Sequence, residues 1–191
     1  MHVTDGKRRL CIITGLALLM AMTRFHHEGT AYALPDASLA VFFLVGWYAR
    51  SPWAFVGFLL GAFAIDYAAI VHGGVSDYCV TPAYVFLIPS YAALWGAGRG
   101  SQRSRPVSAS LIRIGTALPV GATLAFVISS GSFFLFSGRL EGADWIAYSL
   151  GVAQDYPAYL GAAMAYSASV LALDELARMI PTLEYRWARS K

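Results

Sequence analysis

Charged side chains are scarce in this chain. They make up 13% of the residues, against about 25% in an average soluble domain. Hydrophobic residues make up 58%, and they come in blocks separated by short polar loops. This pattern excludes a sizeable soluble domain and is typical of a helical protein that crosses a membrane several times. The net charge of +3 reflects basic residues flanking the spans rather than a nucleic-acid surface.

Cysteine and histidine are also scarce, and two motifs are missing. The chain has two cysteines and no Cys-x-x-Cys, which argues against a membrane thiol oxidoreductase. No histidine follows His72, so Ser130 and Ser132 lack the partner that an intramembrane serine protease needs. No GxxxxGK[ST] loop occurs, so we expect no ATP site in this chain.

The apolar blocks predict an all-α integral membrane protein made of a single domain, residues 1–191. Segment 144–154 is mixed in character and suggests an interfacial or lid helix. Asp155 and Pro157 would then cap the sixth span and begin its first turn. The six predicted spans cover residues 10–22, 34–49, 53–71, 83–96, 111–136 and 155–177. The second is short for a bilayer, so we expect it to lie at a thinned edge or to be partly buried.

Basic residues are distributed very unevenly over the predicted loops. Of the 14 lysines and arginines, only Arg24 and Arg139 would lie on the outer side. The segment from Arg24 to Glu28 is interpreted as the first outer loop. This bias predicts that both termini are cytoplasmic. Polar chemistry is then concentrated outside, where three of the four histidines lie.

Cys79 is the main candidate for chemistry. It lies in the loop between the third and fourth spans and is the only cysteine on the outer side. Thr81 and Pro82 are typical of a helix N-cap followed by the first helical residue, and the helix dipole favours a thiolate nearby. A thiolate is a soft metal ligand and a nucleophile. The alternative is an inert cysteine packed under the loop.

Four other residues could accompany Cys79. Asp66 lies within the third span, where an ionisable side chain faces a bundle interior or a cavity. It would either line an outward pocket or form a structural hydrogen bond. Tyr84 follows Pro82 and faces the same region. His26 and His27 point in different directions, so at most one enters a pocket, and both are alternatively interfacial polar residues. His72, Gly73 and Gly74 predict a helix stop.

Aromatic residues accumulate near the predicted outer boundary. They are Tyr32, Tyr78, Trp145, Tyr148 and Tyr156. An aromatic belt at the membrane interface accounts for most of them. The alternative is an aromatic wall for a large planar ligand.

Small residues and local ion pairs complete the pattern. Ala17 and Ala21 on the first span, like Gly57 and Gly61 on the third, are spaced for close helix approach. Cys11 is interpreted as a small buried apolar residue. Asp174 and Glu175 are expected to pair with Arg178 near the inner end of the last span.

The whole chain resembles the substrate-binding S-components of energy-coupling factor (ECF) vitamin transporters. The resemblance lies in the six short spans and in the Ala17-xxx-Ala21 spacing. Within that group, an outward cysteine followed by Thr-Pro and tyrosine is similar to the BtuM family of cobalamin transporters. Its specificity rests on Cys79 together with His27, Asp66 and Tyr84.

The resemblance implies uptake of cobalamin, or of a precursor such as cobinamide, across the bacterial inner membrane. Cys79 would supply an axial thiolate to cobalt, supported by His27, Asp66 and Tyr84. Thiolate coordination could also promote loss of cyanide from cyanocobalamin. Ala17 and Ala21 would dock onto a coupling subunit, and that subunit and its ATPases would be separate chains. The sequence leaves open whether the protein works without them.

Two other functions stay open from the residues alone. An S-component for riboflavin, thiamine or biotin would share the fold but would leave Cys79 unexplained. A haem- or metal-binding membrane protein would use cysteine and histidine as ligands. Against haem, no two histidines occupy opposing positions within two spans.

Overall fold

The computed structural model describes residues 2–24, 34–49, 51–101 and 107–189, with side chains described over 6–24, 34–49, 51–101 and 112–179. This part of the chain is all-helical and contains no strand. The helices are α1 (His2–Arg24), α2 (Ser38–Tyr48), α3 (Pro52–Gly73), α4 (Leu87–Ser101), α5 (Val107–Phe136) and α6 (Trp145–Arg189), and a short 3-10 helix, Pro82–Phe86, leads into α4.

Within the described part of the chain, three helical segments are long and apolar enough to cross a membrane. They are Pro52–Gly73, Ile112–Phe136 and Trp145–Met179. The other helices differ from a simple span for identifiable reasons. Charged residues occupy the first turns of α1, while α2 and α4 have 11 and 15 residues. The structure therefore supports a membrane protein, and the six-span topology stays a prediction.

Helix α2 is the centre of the bundle. It packs on every other α-helix, and its residues from Ser38 to Gly46 are all buried. Apolar side chains surround its whole circumference, which is the pattern of a helix enclosed by other helices rather than one facing lipid. Of the two explanations for its shortness, burial is the one that the packing supports.

Helices α2 and α4 cross at two glycines. A Cβ atom built on Gly46 would lie 2.1 Å from the carbonyl oxygen of Trp95, and one on Gly98 would lie 1.9 Å from that of Phe43. No side chain fits at either position, so the two backbones touch. Sequence spacing pointed instead to Gly57 and Gly61. Gly57 has open space around it, and Gly61 meets only the flexible end of Met20 at 3.5 Å.

The start of α6 differs from the prediction. The helix begins at Trp145, so segment 144–154 belongs mostly to its first turns and is not a separate lid helix. Asp144 is the N-cap, because its Oδ2 accepts a hydrogen bond of 3.0 Å from the backbone N–H of Ala147. The prediction of Asp155 as N-cap is wrong, and Pro157 lies inside the helix.

Cys11 is exposed, which contradicts its interpretation as a buried residue. Helix α1 directs Leu16 and Met20, which are 2% and 3% exposed, toward the bundle. Cys11 lies on the opposite face of the same helix. The helical repeat of α1 therefore decides its exposure, and its apolar character does not.

A cluster of polar groups surrounds Asp174, at what we call the Asp174 end of the bundle. The Asp174 carboxylate accepts hydrogen bonds from Arg8 Nε at 2.8 Å and from the Tyr48 hydroxyl at 2.9 Å. The predicted pairs with Arg178 are also present, at 3.3 Å from Asp174 and 3.5 Å from Glu175. Local spacing revealed the Arg178 pairs, whereas the contacts from α1 and α2 depend on the fold.

Replacing Asp174 with asparagine is expected to lower the free energy of unfolding by about 1.5–3 kcal/mol, the range for hydrogen bonds to charged groups. Arg8 would lose its counter-ion at a site where Asp174 is 7% exposed. Denaturant unfolding in detergent measures the change. Glu175→Gln is the matched control, because this neighbouring carboxylate is exposed and its loss should change stability little. Equal effects of the two substitutions would contradict the cluster.

Candidate ligand-binding site

The thiol of Cys79 is free and exposed. It lies in a turn between α3 and the 3-10 helix, where the N–H of Val80 donates to the Asp77 carbonyl at 2.8 Å. The N–H of Thr81 donates to the carbonyl of Cys79 itself at 3.1 Å. These bonds hold the backbone on both sides of the cysteine while its side chain stays accessible. The thiol is therefore open to an incoming ligand and is not packed under the loop.

The two helices that flank the Cys79 loop end and begin where the sequence predicts. Helix α3 ends at Gly73, and its C-cap residue Gly74 adopts a left-handed conformation with φ of 70°, as the helix stop predicted at His72, Gly73 and Gly74 requires. Thr81 is the N-cap residue and Pro82 the first helical residue of the 3-10 helix. Thr81 makes no side-chain capping bond, however, and its buried Oγ1 has no partner among the described residues.

Asp66 and Tyr84 come together, as the sequence suggested, and both meet Arg24. The Tyr84 hydroxyl donates to Asp66 Oδ2. Arg24 donates two parallel hydrogen bonds to the same carboxylate, from Nε to Oδ1 at 2.6 Å and from Nη2 to Oδ2 at 2.7 Å. This two-pronged geometry is the strong form of an arginine–carboxylate pair. Asp66 is thus the structural partner of Arg24 and Tyr84, and its side chain is buried.

Three further residues complete what we call the Arg24 cluster. Arg24 Nη1 donates to the Tyr91 hydroxyl at 2.7 Å and to Ser38 Oγ at 2.9 Å, and it lies 3.4 Å from Asp36 Oδ2. The cluster joins α1, α2, α3, α4 and the 3-10 helix. It defines the Asp66 end of the bundle, opposite the Asp174 end.

Arg24 is the member that sequence reasoning missed. We assigned it to an outer loop, but it is the last residue of α1 and is only 3% exposed. Two carboxylates and two hydroxyls compensate its buried charge. A signal existed in the sequence, because an arginine and an intramembrane aspartate at the same predicted boundary are natural partners.

The remaining predicted residues divide into two groups. His26 and His27 lie outside the described residues, so their proposed roles stay predictions. Ala17 is exposed and Ala21 half-buried on α1, and their docking role stays a prediction. Among the residues that the structure describes, no three His, Cys, Asp or Glu side chains form a group that could hold a metal ion.

The Asp66 end of the bundle is therefore suited to one kind of chemistry, the binding of a ligand by a single thiol. One accessible thiol stands on a backbone fixed by hydrogen bonds, in the loop that leads into the 3-10 helix of Tyr84 and so into the buried Arg24 cluster. Such a thiol can supply a single soft ligand to a metal whose other positions are already filled. Comparison with protein-family models gives no match for this chain, and comparison with curated proteins gives none either.

Proposed function

We propose that this protein takes up a corrinoid, cobalamin or cobinamide, across a membrane and binds its cobalt through the thiolate of Cys79. The observation that carries the proposal is the exposure of this one thiol on the loop at the Asp66 end. The membrane setting is supported by three helices long and apolar enough to cross a bilayer.

Corrinoid chemistry fits a site with a single protein ligand. Four ring nitrogens bind cobalt in the corrin plane, so only axial positions remain. A thiolate is soft and binds cobalt readily. With cyanocobalamin, the sulfur lone pair would form the cobalt–sulfur bond in the axial position of the nucleotide base, whose nitrogen keeps its own electron pair. Cyanide, on the opposite axial position, would then leave with the electrons of the cobalt–carbon bond, and water would take its place. Cyanide then takes up a proton from water, and no electron is transferred.

The Arg24 cluster would act as the support of this site. Arg24 holds the Asp66 carboxylate, and Asp66 holds the Tyr84 hydroxyl, so both side chains keep one orientation. Such preorganisation lowers the cost of ordering the site when a ligand arrives. In the proposal, Asp66 and Tyr84 face the corrin, and His27 keeps its predicted supporting role.

The proposal also covers the topology, the location and the partners of the protein. The protein would have six spans in the bacterial inner membrane, with the Asp66 end outside and both termini in the cytoplasm. The exposed Ala17 and the half-buried Ala21 would meet an ECF coupling subunit whose ATPases are separate chains. The basic residues on the opposite side support this orientation.

The test is the visible spectrum of the detergent-purified protein after incubation with cyanocobalamin and gel filtration. We expect a corrin spectrum that co-elutes and is shifted from that of the free vitamin. Cys79→Ser should abolish the shift because a hydroxyl is a poor ligand for cobalt. Cys11→Ser is the matched control, since it removes the other exposed thiol and should leave the shift intact.

Two results would contradict the proposal in different ways. Retention of the vitamin with the same unshifted spectrum in all three proteins would remove Cys79 from the cobalt but keep a corrinoid carrier. Loss of the vitamin from all three would reject the corrinoid, and the same fractions would then be scanned for haem and for other vitamins. Cyanide that stays bound to cobalt with intact protein would reject decyanation alone.

A further inference from the structure

A cleft of about 150 Å³ opens between α5 and α6. Its lining includes Phe126, Ser130, Gly131, Trp145, Tyr148 and Val152. The walls are mainly apolar and aromatic, and a cavity of this size admits an aromatic ring. The cleft is distinct from the Arg24 cluster and plays no part in the cobalt chemistry described above.

The aromatic side of the cleft is held in place by its own contacts. The Tyr148 hydroxyl donates to the carbonyl of Ser130 at 3.0 Å. Phe134 packs edge-on against Trp145, with ring centroids 4.7 Å apart, and lies 5.1 Å from the Tyr148 ring. The rings of Trp145 and Tyr148 therefore keep fixed orientations, which favours stacking of a rigid planar group.

Arg139 connects this region to the Cys79 loop. Its guanidinium lies 5.1 Å from the ring centroid of Tyr78, the residue before Cys79. Tyr78 in turn packs on Phe133 of α5, at 5.8 Å between centroids. Among the described residues, no carboxylate pairs with the Arg139 side chain. A guanidinium stacked on a ring keeps its edge donors available for an oxyanion.

Tyr78 thus links the thiol and the arginine, because it precedes Cys79 and lies under Arg139, and its contact with Phe133 links both to α5, one wall of the cleft. Cobalamin presents matching groups, since a phosphodiester links the corrin to a planar bicyclic base. We infer that the α5–α6 cleft binds this base and that Arg139 binds the phosphate, once Cys79 has taken the place of the base on cobalt. This inference rests on the proposed function and adds a second binding site to it.

The exchange at cobalt is a simple ligand substitution. The cobalt–nitrogen bond breaks with both electrons staying on the base, and the thiolate pair forms the cobalt–sulfur bond. The released base is uncharged and flat, so water solvates it poorly. An aromatic cleft on the same side of the protein would stabilise it by stacking.

The inference predicts that the protein distinguishes cobalamin from cobinamide, which lacks the nucleotide. Gly131→Leu would fill the cleft, and a Cβ at Gly131 meets no atom within 4 Å, so the substitution should not disturb α5. Arg139→Gln would remove the phosphate contact. Each is expected to weaken cobalamin binding about tenfold and to leave cobinamide binding unchanged, since stacking of one base has an effect of about this size.

Matched controls exist for both substitutions. Gly115→Leu places the same side chain at another open position on α5. Arg99→Gln removes another arginine stacked on an aromatic ring, since Arg99 lies 5.1 Å from the Trp95 centroid, near the end of α4 away from the Cys79 loop. Neither should change the ratio of the two affinities. Detergent without phosphate headgroups is used throughout, so that an effect of Arg139 reports the ligand phosphate and not a lipid.

The outcomes separate this inference from the proposed function. If cobinamide shows the Cys79-dependent shift but both variants keep the wild-type affinity ratio, the cleft is a lipid-facing groove and the inference fails alone. If neither corrinoid binds, the proposed function fails. A further test adds the free benzimidazole ribonucleotide to the wild type and to Gly131→Leu and measures its binding to the cleft by tryptophan fluorescence. No quenching in the wild type would overturn the inference.

Discussion

Asp66→Asn should destabilise this protein by about 3–5 kcal/mol, because it leaves the buried Arg24 without its main counter-ion. The two side chains are 10% and 3% exposed, so water can replace little of the lost interaction. The amide could accept one bond from Arg24 but would turn a donor toward the rest of the guanidinium. Denaturant unfolding in detergent measures the difference in free energy.

Two comparisons test that the cost comes from the uncompensated charge. Asp77→Asn alters an exposed carboxylate in the Cys79 loop and should change stability little. The double variant Arg24→Met, Asp66→Leu removes both charges and should recover much of the loss, since an apolar pair of similar volume can replace a buried ion pair. If Asp66→Asn were as mild as Asp77→Asn, the buried pair would be contradicted.

The Tyr84→Phe variant tests whether Tyr84 only stabilises the Arg24 cluster or also contacts the ligand. It removes the hydroxyl that donates to Asp66 but leaves both Arg24 bonds to the carboxylate. A hydrogen bond to a charged group contributes about 1.5–3 kcal/mol, so the loss of stability should be smaller than that of Asp66→Asn. A fall in corrinoid retention beyond what this loss of stability explains would indicate direct contact with the ligand.

Gly98→Ala should have an effect of comparable size on the crossing of α2 and α4. The added methyl group would lie 1.9 Å from the Phe43 carbonyl oxygen, deep inside van der Waals contact. That oxygen belongs to the backbone of a helix buried on all sides, so it cannot rotate away. The helices must separate, and we expect a loss of at least about 3 kcal/mol, at the upper end of overpacking costs.

Gly96→Ala is the control on the same helix. A Cβ at Gly96 meets no atom within 4 Å, and alanine is favoured over glycine inside a helix by about 0.5–1 kcal/mol. This variant should therefore be neutral or slightly stabilised. The pair differs by two positions and by the same methyl group, so unfolding data compare packing directly. Similar stability of the two variants would refute backbone contact at Gly98.

Local chemistry explains which features of the fold the sequence predicted well. Gly74 and Pro82 act through their own backbone preferences, so the end of α3 and the start of the 3-10 helix could be recognised without knowing what they pack against. Arg178 pairs with carboxylates three and four residues earlier, within one helical turn. The apolar blocks predicted helices for the same reason.

The two wrong predictions, for Asp155 and for Cys11, have a cause in common. The mixed character of segment 144–154 suggested a separate interfacial or lid helix, so the predicted last span began at Asp155, a good capping residue. For Cys11, residue type suggested burial, but the helical face decides exposure. In both cases the local pattern allowed two answers, and contacts with the rest of the bundle selected one.

The amino-acid sequence by itself determined that this chain forms apolar helices suited to a membrane and that one thiol follows α3. It did so because composition, helix signals and the position of Cys79 need no partner. The tertiary structure alone decided that Arg24 is buried against Asp66, that Gly46 and Gly98 bring two backbones together, and that Arg139 stacks on Tyr78. These contacts join residues far apart in the chain, and their energies arise only when folding excludes water between them.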